Sequence, residues 1–393
     1  MNGIYYYLIA FAVIWILVGV FHEKLSTHGV EMNFPVIMWK TKRLRGLIYR
    51  INNLSPRFWH WYMNIGVIIA FGAMIFITYT LVATLPTVFD TPSVSIVIPG
   101  VEMPGSSIYI PFIYGLIALA TVLIVHEFSH GVQSVGEKIS IKSIGLLLFA
   151  IIPGAFVEPD EDELKSAKRT SRLRVYAAGS VANITLAVIA LLLVSLVSMG
   201  IPHYFAEDGI AIDRVVEASP SNGILKEGMV IEAIDNQKVN DSDSYVNIIG
   251  SFKPGDNVSV QTDQGTYSIV LDENPSNESK GFFGIQANKH FELINDSLGS
   301  LPWVLFELLE LFQWVAMLNL GIGLFNLLPL KPLDGGYMLE ILLSYKLSEN
   351  QYKPIVNAIS AVMAMKAPVP VKRKRNVTMR AFIYKTALPA RYK

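Results

Sequence analysis

Two histidines in the segment HEFSH stand four residues apart near the end of an apolar stretch. On an α-helix, His126 and His130 would project from the same face, with Glu127 beside them. Two imidazoles placed in this way can bind one Zn²⁺, and the adjacent carboxylate can take a proton from an attacking water molecule. The pattern therefore predicts hydrolytic metal chemistry, with His126 and His130 as metal ligands and Glu127 as the catalytic base.

The location of this segment strengthens the prediction. It closes an apolar run over residues 111–131, which is long enough to cross a lipid bilayer. Ionisable side chains at that depth are costly unless they face a polar cavity and have partners. A purely structural role, with the histidines bonded to neighbouring carbonyls, would leave Glu127 unexplained. We therefore favour the functional interpretation.

A zinc site needs a third protein ligand and one open position. An extended helical zinc motif would place another histidine at position 136, but the residue is Gly136, and the acidic cluster that begins at Glu158 resembles a solvated turn. Asp334, in the segment FNLLPLKPLDGG (residues 325–336), is the better candidate. Prolines break an apolar run there, and non-helical backbone at that depth must be buried in protein or line a cavity. Asp334 could also cap the helix that follows, and the two roles are compatible.

The composition places much of the chain in lipid. Of 393 residues, 52% are hydrophobic and 16% are charged, whereas soluble domains carry about 25% charged residues. The formal net charge is zero, so the overall charge does not indicate nucleic acid as a partner. The chain has no cysteine, which excludes disulfides, thiolate nucleophiles and cysteine metal ligands.

Long apolar runs predict five transmembrane helices, at residues 2–21, 64–85, 111–131, 175–199 and 301–329. The first run lacks the basic start and the small-residue cleavage site of a signal peptide, so we expect it to be retained. Glu307, Glu310 and Gln313 interrupt the fifth run. We therefore expect residues 301–313 to form a helix partly at the membrane interface, and residues 314–328 to enter the lipid.

The distribution of positive charge between the spans predicts their orientation. Residues 22–63 hold seven Lys and Arg residues, residues 132–174 hold another seven, and residues 86–110 hold none. By the positive-inside rule the two basic loops are cytoplasmic, so the His pair lies toward the cytoplasmic end of its span. We expect a multi-pass protein of the cell membrane whose active site faces the cytoplasmic side.

Residues 202–290 are polar and rich in turns, unlike the rest of the chain. The β-type runs AIDRVV, NVSVQT and TYSIVL alternate there with Gly, Asn and Asp turns. The stretch SPSNGILKEGMVIEAIDNQKV (residues 219–239) resembles the PDZ fold, with Ser-Pro, a helix of small residues, Gly228 opening a strand and a turn into QKV. We expect an extracytoplasmic PDZ-like domain, with an unrelated small β-rich domain as the alternative.

HEFSHG in one span and NLLPLKPLDGG in a later one together resemble the site-2 protease family of intramembrane zinc metalloproteases. The resemblance covers roughly residues 110–345. It implies that His126, His130 and Asp334 bind zinc and that Glu127 is the base.

A third segment, AAGSVAN (residues 177–183), is similar to a small-residue motif of that family that ends in Asn. It makes Asn183, and with it Asn326 of the later motif, a candidate for supporting the substrate backbone or the oxyanion. For each of the two, an interhelical hydrogen bond is the alternative.

The predicted fold class is a polytopic α-helical membrane protein, of about five to six transmembrane helices, with an inserted small α+β PDZ-like domain. Its parts, in chain order, are an N-terminal pair of spans with a basic cytoplasmic loop (1–110), the first half of the catalytic membrane core (111–201), the PDZ-like domain (202–290), the second half of the core (291–350) and a basic C-terminal tail (351–393).

Within the core, we expect residues 140–159 to form a hairpin or re-entrant strand whose free edge pairs with an unwound substrate. An interfacial helix lining the active site is the alternative for that segment.

These features predict an intramembrane zinc metalloprotease that cuts transmembrane segments of membrane-anchored proteins, as in regulated intramembrane proteolysis. The expected cofactor is Zn²⁺, and the expected partners are transmembrane protein substrates, the lipid bilayer and a peptide C-terminus at the PDZ-like domain. A membrane zincin for soluble or lipidated chain ends would need a glutamate as third ligand on a following helix, and no suitable one is present. A metal transporter would not need the adjacent base. A membrane-bound PDZ adaptor with a non-catalytic metal site is the other alternative, against which the presence of all four chemical groups argues.

Overall fold

The computed structural model of the protein describes residues 4–84, 98–101, 109–275 and 277–366. These residues form two compact units, one made of the chain up to Leu192 and from Leu311 on, the other of Leu193–Glu310. The start of the first predicted span, most of the predicted 86–110 loop and the basic tail beyond residue 366 lie outside the described residues.

Helices predominate among the described residues of the first unit, and strands among those of the second. The described helices are α1 (Ile4–Val20), α2 (His22–Ser26), α3 (Arg45–Leu54), α4 (Pro56–Ala83), α5 (Phe112–Gly136), α6 (Glu161–Ser166), α7 (Arg169–Gly200), α8 (Ser242–Ile249), α9 (Val304–Asn326), α10 (Asp334–Leu343) and α11 (Glu349–Lys366). The described strands are β1 (Val30–Asn33), β2 (Val36–Thr41), β3 (Ile141–Phe149), β4 (Ile152–Pro159), β5 (Phe205–Val215), β6 (Val230–Ile234), β7 (Gln237–Lys238), β8 (Asn257–Thr262), β9 (Gly265–Val270), β10 (Asp272–Asn274), β11 (Asn277–Phe282) and β12 (Ile285–Leu293).

Within the described residues, 4 helices are long and apolar enough to cross a membrane: α4, α5, α7 and α9, the last two with an adjoining short turn. They coincide with the second to fifth predicted runs. The helix α4 begins at Pro56, before the predicted run, because the Ser55 side chain accepts a hydrogen bond from Phe58 N and proline fits the first helical position. The helix α1 is apolar but only 17 residues long, so a count of five spans stays a prediction.

The fifth run forms one helix, because α9 continues without a break from Val304 to Asn326, and the division of this run between interface and lipid stays a prediction. The polar side chains that suggested a boundary all have interaction partners, so the helix can carry them. Near its end, α9 packs closely on α7. A Cβ added to Gly323 would lie 3.1 Å from Asn183 Cβ and 3.2 Å from Ser180 O. Small residues thus let the two backbones approach each other.

The two basic loops meet in one antiparallel sheet of strand order β1-β2-β3-β4. The first loop supplies β1 and β2, the second supplies β3 and β4, and Lys40 pairs with Gly145 where they join. The hairpin predicted for residues 140–159 is therefore present, and an interfacial helix there is excluded. Because β2 covers the outer side of β3, β4 is the strand of this hairpin that lies at an edge of the sheet.

The turn between β3 and β4 is apolar and lies against α1. The Trp15 indole donates a hydrogen bond of 2.8 Å to Ala150 O, and its ring meets the Phe34 ring edge-on at 5.5 Å. Phe149 and Ile152, at the two sides of the turn, are 50% and 62% exposed. Apolar side chains so exposed beside an apolar helix fit a sheet whose tip enters the lipid.

Between α9 and α10 the chain runs through the segment LLPLKPL without helix, and α10 begins at Asp334. The two glycines after Asp334 make this sharp return possible. A Cβ added to Gly335 would lie 2.5 Å from Leu328 O, and one added to Gly336 would lie 2.5 Å from the Leu330 carbonyl carbon. The start of α10 therefore packs directly on the preceding backbone, which fixes the position of Asp334.

The other unit contains a sheet of order β12-β5-β6-β8-β9, with β7 paired to β6. The three β-type runs predicted from the sequence coincide with β5, β8 and β9. The helix of small residues expected after Ser219 is wrong: residues 217–228 form successive turns. The helix α8 begins with a capping box between Asp241 and Ser244. The core of this unit is formed by buried aliphatic residues, among them Ile212, Ile231 and Val260.

Candidate metal centre

The three predicted metal ligands converge at one point, although more than two hundred positions separate the first from the last. His126 Nε2 and His130 Nε2 are 3.1 Å apart. Asp334 Oδ2 lies 3.3 Å from each of these nitrogens. Within the described residues, these three side chains form the group of His and acidic residues whose ligand atoms could hold one metal ion.

The spacing of the three atoms fits a tetrahedral cation. Ligand atoms about 2.0–2.1 Å from a tetrahedral zinc ion lie about 3.3 Å from one another. The observed separations of 3.1, 3.3 and 3.3 Å match this value, and the two nitrogens and one oxygen are donors that zinc accepts. The side chains are enclosed, with exposures of 11%, 12% and 15%. Three protein ligands leave one tetrahedral position for water or substrate.

Glu127, the predicted base, follows His126 on α5 and is oriented by the neighbouring sheet. Its Oε2 accepts a hydrogen bond of 3.1 Å from the backbone N–H of Val157 in β4. The carboxylate is half-buried. The edge strand of the hairpin and the base of the HEFSH motif are therefore joined directly.

The helix α7 supports the ligands from the other side, which sequence reasoning missed except for the motif AAGSVAN. Val175 O accepts a hydrogen bond of 2.7 Å from His130 Nδ1, which leaves Nε2 of that ring for a metal. Ser180 Oγ donates to Asp334 Oδ2 over 3.4 Å. A backbone carbonyl and a side-chain hydroxyl of α7 therefore orient His130 and Asp334, two of the three predicted ligands.

Gly179 of the same motif lies directly under both imidazole rings. A Cβ added there would lie 2.7 Å from His126 Cδ2 and still closer to His130 Nε2. Any side chain at this position would push the rings away, so glycine is required by the close approach. A small residue in a span was visible in the sequence, but its partner could be identified only from the fold.

The two candidate asparagines make different contacts in the structure. Asn183 is fully buried, and its Nδ2 lies 3.2 Å from His126 Nδ1, so it contacts a predicted ligand from α7. The Asn326 amide nitrogen instead donates to Ile322 O within α9. The interhelical contact considered for Asn183 is thus present, whereas support of a substrate by either residue stays a prediction.

The acidic segment that was expected to be a solvated turn is mostly regular structure. Glu158 is part of β4, and its carboxylate accepts a hydrogen bond from the Ser143 hydroxyl of β3. Asp160 caps α6 by accepting hydrogen bonds from the N–H groups of Asp162 and Glu163. Glu158 is not part of the group that could hold a metal.

An ion pair ties the end of α5 to α7, just beyond the histidines. Arg174 Nε and Nη2 donate to the two carboxylate oxygens of Glu137, at 2.6 and 3.0 Å. Burial alone would raise the pKa of Glu137, but the hydrogen bonds from Arg174 and Ser171 and the Arg174 charge hold that pKa below its usual value. The helix that carries both histidines is thereby fixed against the helix that supports them.

Comparison with known proteins identifies a family and several similar proteins. The sequence profile of Peptidase family M50 matches residues 114–367. An uncharacterised protein of Methanocaldococcus jannaschii is 30% identical over 58% of this chain and 56% of its own length. A membrane-bound transcription factor site-2 protease homolog of Arabidopsis thaliana is 30% identical over 34% of this chain and 26% of its own. A probable chloroplastic membrane metalloprotease of the same plant is 26% identical over 56% and 64%.

The chain thus spans about half, or less, of the length of the first two of these relatives. Among solved structures, the PDZ domain of an SdrC-like protein from Listeria innocua is similar to 21% of this chain and matches over 97% of its own length, at 30% identity and a TM-score of 0.20.

Proposed function

The chain belongs to peptidase family M50, and from this membership we propose that it is a zinc metalloprotease that hydrolyses peptide bonds within transmembrane segments of membrane-anchored proteins. One observation carries the proposal. Two imidazole nitrogens and one carboxylate oxygen lie within 3.3 Å of one another, and both histidines belong to a helix long and apolar enough to cross a membrane.

The chemistry follows from the groups around this point. A zinc ion held by His126, His130 and Asp334 would supply the Lewis acidity that activates water and polarises a peptide carbonyl. Glu127 lies one residue from a ligand on the same helix, where its carboxylate can accept a proton from the attacking water and return it to the leaving amine. The Val157 N–H holds one oxygen of that carboxylate, so the other oxygen is the one placed to move the proton.

The depth of the site explains how water and a membrane substrate can meet. From Phe112, where α5 begins, to His126 the helix rises about 21 Å at 1.5 Å per residue. An apolar layer about 30 Å thick then leaves about 9 Å between the site and the far surface. This depth is shallow enough for a water-filled opening and still lies within the layer that a substrate helix occupies.

We propose that the substrate binds as an added strand on β4. The Val157 N–H points to Glu127 rather than to β3, and alternate residues of a strand point in the same direction, so the Ala155 N–H faces the same edge. A transmembrane helix hides its amides in its own hydrogen bonds, and pairing with this edge would hold an unwound segment beside the base.

The topology expected from the charge distribution is part of the proposal. The two basic loops contribute neighbouring strands to one sheet, which supports their placement on the same side of the membrane, the cytoplasmic side by the positive-inside rule. We propose residues 202–290 as an extracytoplasmic PDZ-like domain that binds a peptide C-terminus or excludes substrates with bulky outer domains.

The test is cleavage of a membrane-anchored reporter by the full chain reconstituted in lipid vesicles. Glu127→Gln should abolish cleavage while the zinc content is unchanged, because the substitution removes the base and keeps all three ligands. Glu161→Gln is the matched control, since the Glu161 side chain is exposed on α6, outside both the ligand group and β4, and it should retain cleavage. Equal cleavage by wild type and Glu127→Gln would refute the peptidase mechanism.

A further inference from the structure

One buried side chain next to the ligands has an unsatisfied atom. Asn183 is 0% exposed, and its amide nitrogen lies 3.2 Å from His126 Nδ1. Its amide oxygen is buried and has no hydrogen-bond partner. A buried carbonyl oxygen without a partner is unfavourable, and such a group next to a functional residue calls for an explanation.

The tautomer that His126 would adopt as a metal ligand determines which end of the Asn183 amide should face it. Its Nε2 faces His130 and Asp334, so a cation at the centre would bind through Nε2. A neutral imidazole that binds through Nε2 carries its proton on Nδ1, and Nδ1 is then a donor that needs an acceptor. The amide nitrogen of Asn183, also a donor, cannot satisfy it. Rotation of the amide by half a turn exchanges its two ends, so that Oδ1 meets the Nδ1 proton and the amide nitrogen takes the position that Oδ1 has here.

We propose that Asn183 is a positioning residue that orients His126 as a metal ligand, with Asn183 Oδ1 accepting the proton of His126 Nδ1. This inference rests on the metal site of the proposed function. The other histidine has an equivalent support, because His130 Nδ1 bonds to Val175 O on the same helix at 2.7 Å. Helix α7 thus provides one acceptor for each imidazole, a backbone carbonyl for His130 and a side-chain amide for His126.

The packing around Asn183 favours this role over contact with a substrate. Gly323 of α9 lies so close that a Cβ added to it would be 3.1 Å from Asn183 Cβ. The side chain is therefore enclosed between α5, α7 and α9. A substrate carbonyl or oxyanion could reach its amide only after displacing one of these helices, whereas His126 is already in contact.

The experiment measures zinc affinity of the full chain in detergent by competition with a chelator, independently of cleavage. Asn183→Leu removes the acceptor at similar volume, and we expect about 10- to 100-fold weaker zinc binding. Asn183→Asp keeps an acceptor in the same place, and we expect affinity within about threefold of wild type. The cobalt-substituted protein should show the same pattern in the intensity of its visible absorption bands, which reports the ligand geometry.

The matched control is Asn319→Leu. Asn319 is equally buried, also has an unpartnered Oδ1, and bonds to Thr121 and Val315 instead of to a ligand. It should leave zinc affinity unchanged. The inference is overturned if Asn183→Leu binds zinc as wild type does, if Asn319→Leu weakens binding equally, or if a folded Asn183→Asp is as weak as Asn183→Leu. Should Asn183→Asp not fold, the pair Asn183→Leu and Asn319→Leu decides. Absence of zinc binding by wild type would refute the proposed function instead.

Discussion

The backbone N–H of Val157 donates to the carboxylate of Glu127 across 3.1 Å, which joins the edge strand β4 to the helix that carries both histidines. The edge of β4 and the candidate base are therefore in direct contact. A peptide that paired with this edge would lie beside the base. In the proposed mechanism, the edge, the base and the ligands act together on one substrate bond.

Removal of a donor from this edge should weaken cleavage without affecting the metal. Ala155→Pro deletes the N–H that faces the same side as that of Val157, so a substrate strand loses one hydrogen bond, worth about 1 kcal/mol. We expect kcat/KM for a membrane-anchored reporter to fall at least about fivefold. Ala155→Val, which keeps the N–H, is the control. Unchanged cleavage by a folded, zinc-loaded Ala155→Pro would contradict pairing at β4.

Loss of the third ligand should remove the metal. Asp334 Oδ2 is 3.3 Å from both ligand nitrogens, and Asp334→Ala leaves two imidazoles, too few for a stable zinc site. We expect zinc, measured by elemental analysis of the purified chain, to fall from about one ion per chain to near zero. Glu158→Gln, at a carboxylate bonded to Ser143 rather than to the ligands, should keep its zinc. Full zinc occupancy in Asp334→Ala would show that another group completes the site.

A single methyl group should disturb the same site. In Gly179→Ala, the new Cβ would lie 2.7 Å from His126 Cδ2, so both rings must move. We expect zinc affinity to drop at least about 10-fold, as for loss of a supporting contact, and cleavage to drop with it. Gly321→Ala in α9 is the control, since nothing lies within 4 Å of a Cβ added there. If both variants keep wild-type affinity, the rings tolerate displacement and Gly179 has no special role.

The ion pair behind the histidines gives a pH dependence with a definite sign. The pKa of Glu137 is lower in the fold than its usual value, because the Arg174 and Ser171 hydrogen bonds and the Arg174 charge outweigh burial. Such a carboxyl stabilises the fold above its unfolded pKa of about 4.3, and the stabilisation is lost as the pH falls through the folded pKa. Glu137→Gln should therefore lower the melting temperature at pH 7, and the gap to wild type should shrink as the pH falls below about 4. His60 lies 3.7 Å from the same carboxylate. The comparison of Glu137 with Gln is therefore repeated in a His60→Ala background, so that His60 does not contribute to the pH dependence. A gap that widens on acidification would contradict this account.

A group of His126, His130 and Asp334 that could hold one metal ion was predictable, because the sequence signals of these residues are local. The spacing of His126 and His130 places both rings on one helical face. Asp334 follows prolines that end an apolar run and precedes two glycines, a combination that indicates a tight turn of the backbone. The hairpin was predictable for the same reason, from breakers within an apolar segment.

Most supports of the site were not predictable, because they depend on which helices meet; the motif AAGSVAN had singled out only Asn183. Gly179, Ser180 and Asn183 contact the ligands through the packing of α7 on α5 and on the start of α10, and nothing in their own segment identifies those neighbours. The strand β2 was missed similarly, because its partner β3 lies about a hundred residues away.

The orientation of the chain remains a prediction that the lack of cysteine makes simple to test. Lys165→Cys in α6 places a thiol in the second basic loop, where the lysine side chain is 68% exposed. Lys280→Cys places one at an exposed position of the PDZ-like region. Because the chain has no other cysteine, a membrane-impermeant maleimide reports each site alone. In intact cells we expect labelling at position 280 and none at 165 until the membrane is permeabilised, since basic loops are retained in the cytoplasm. The reverse pattern would place the ligands near the outer surface, and cleavage would then have to release substrates on that side.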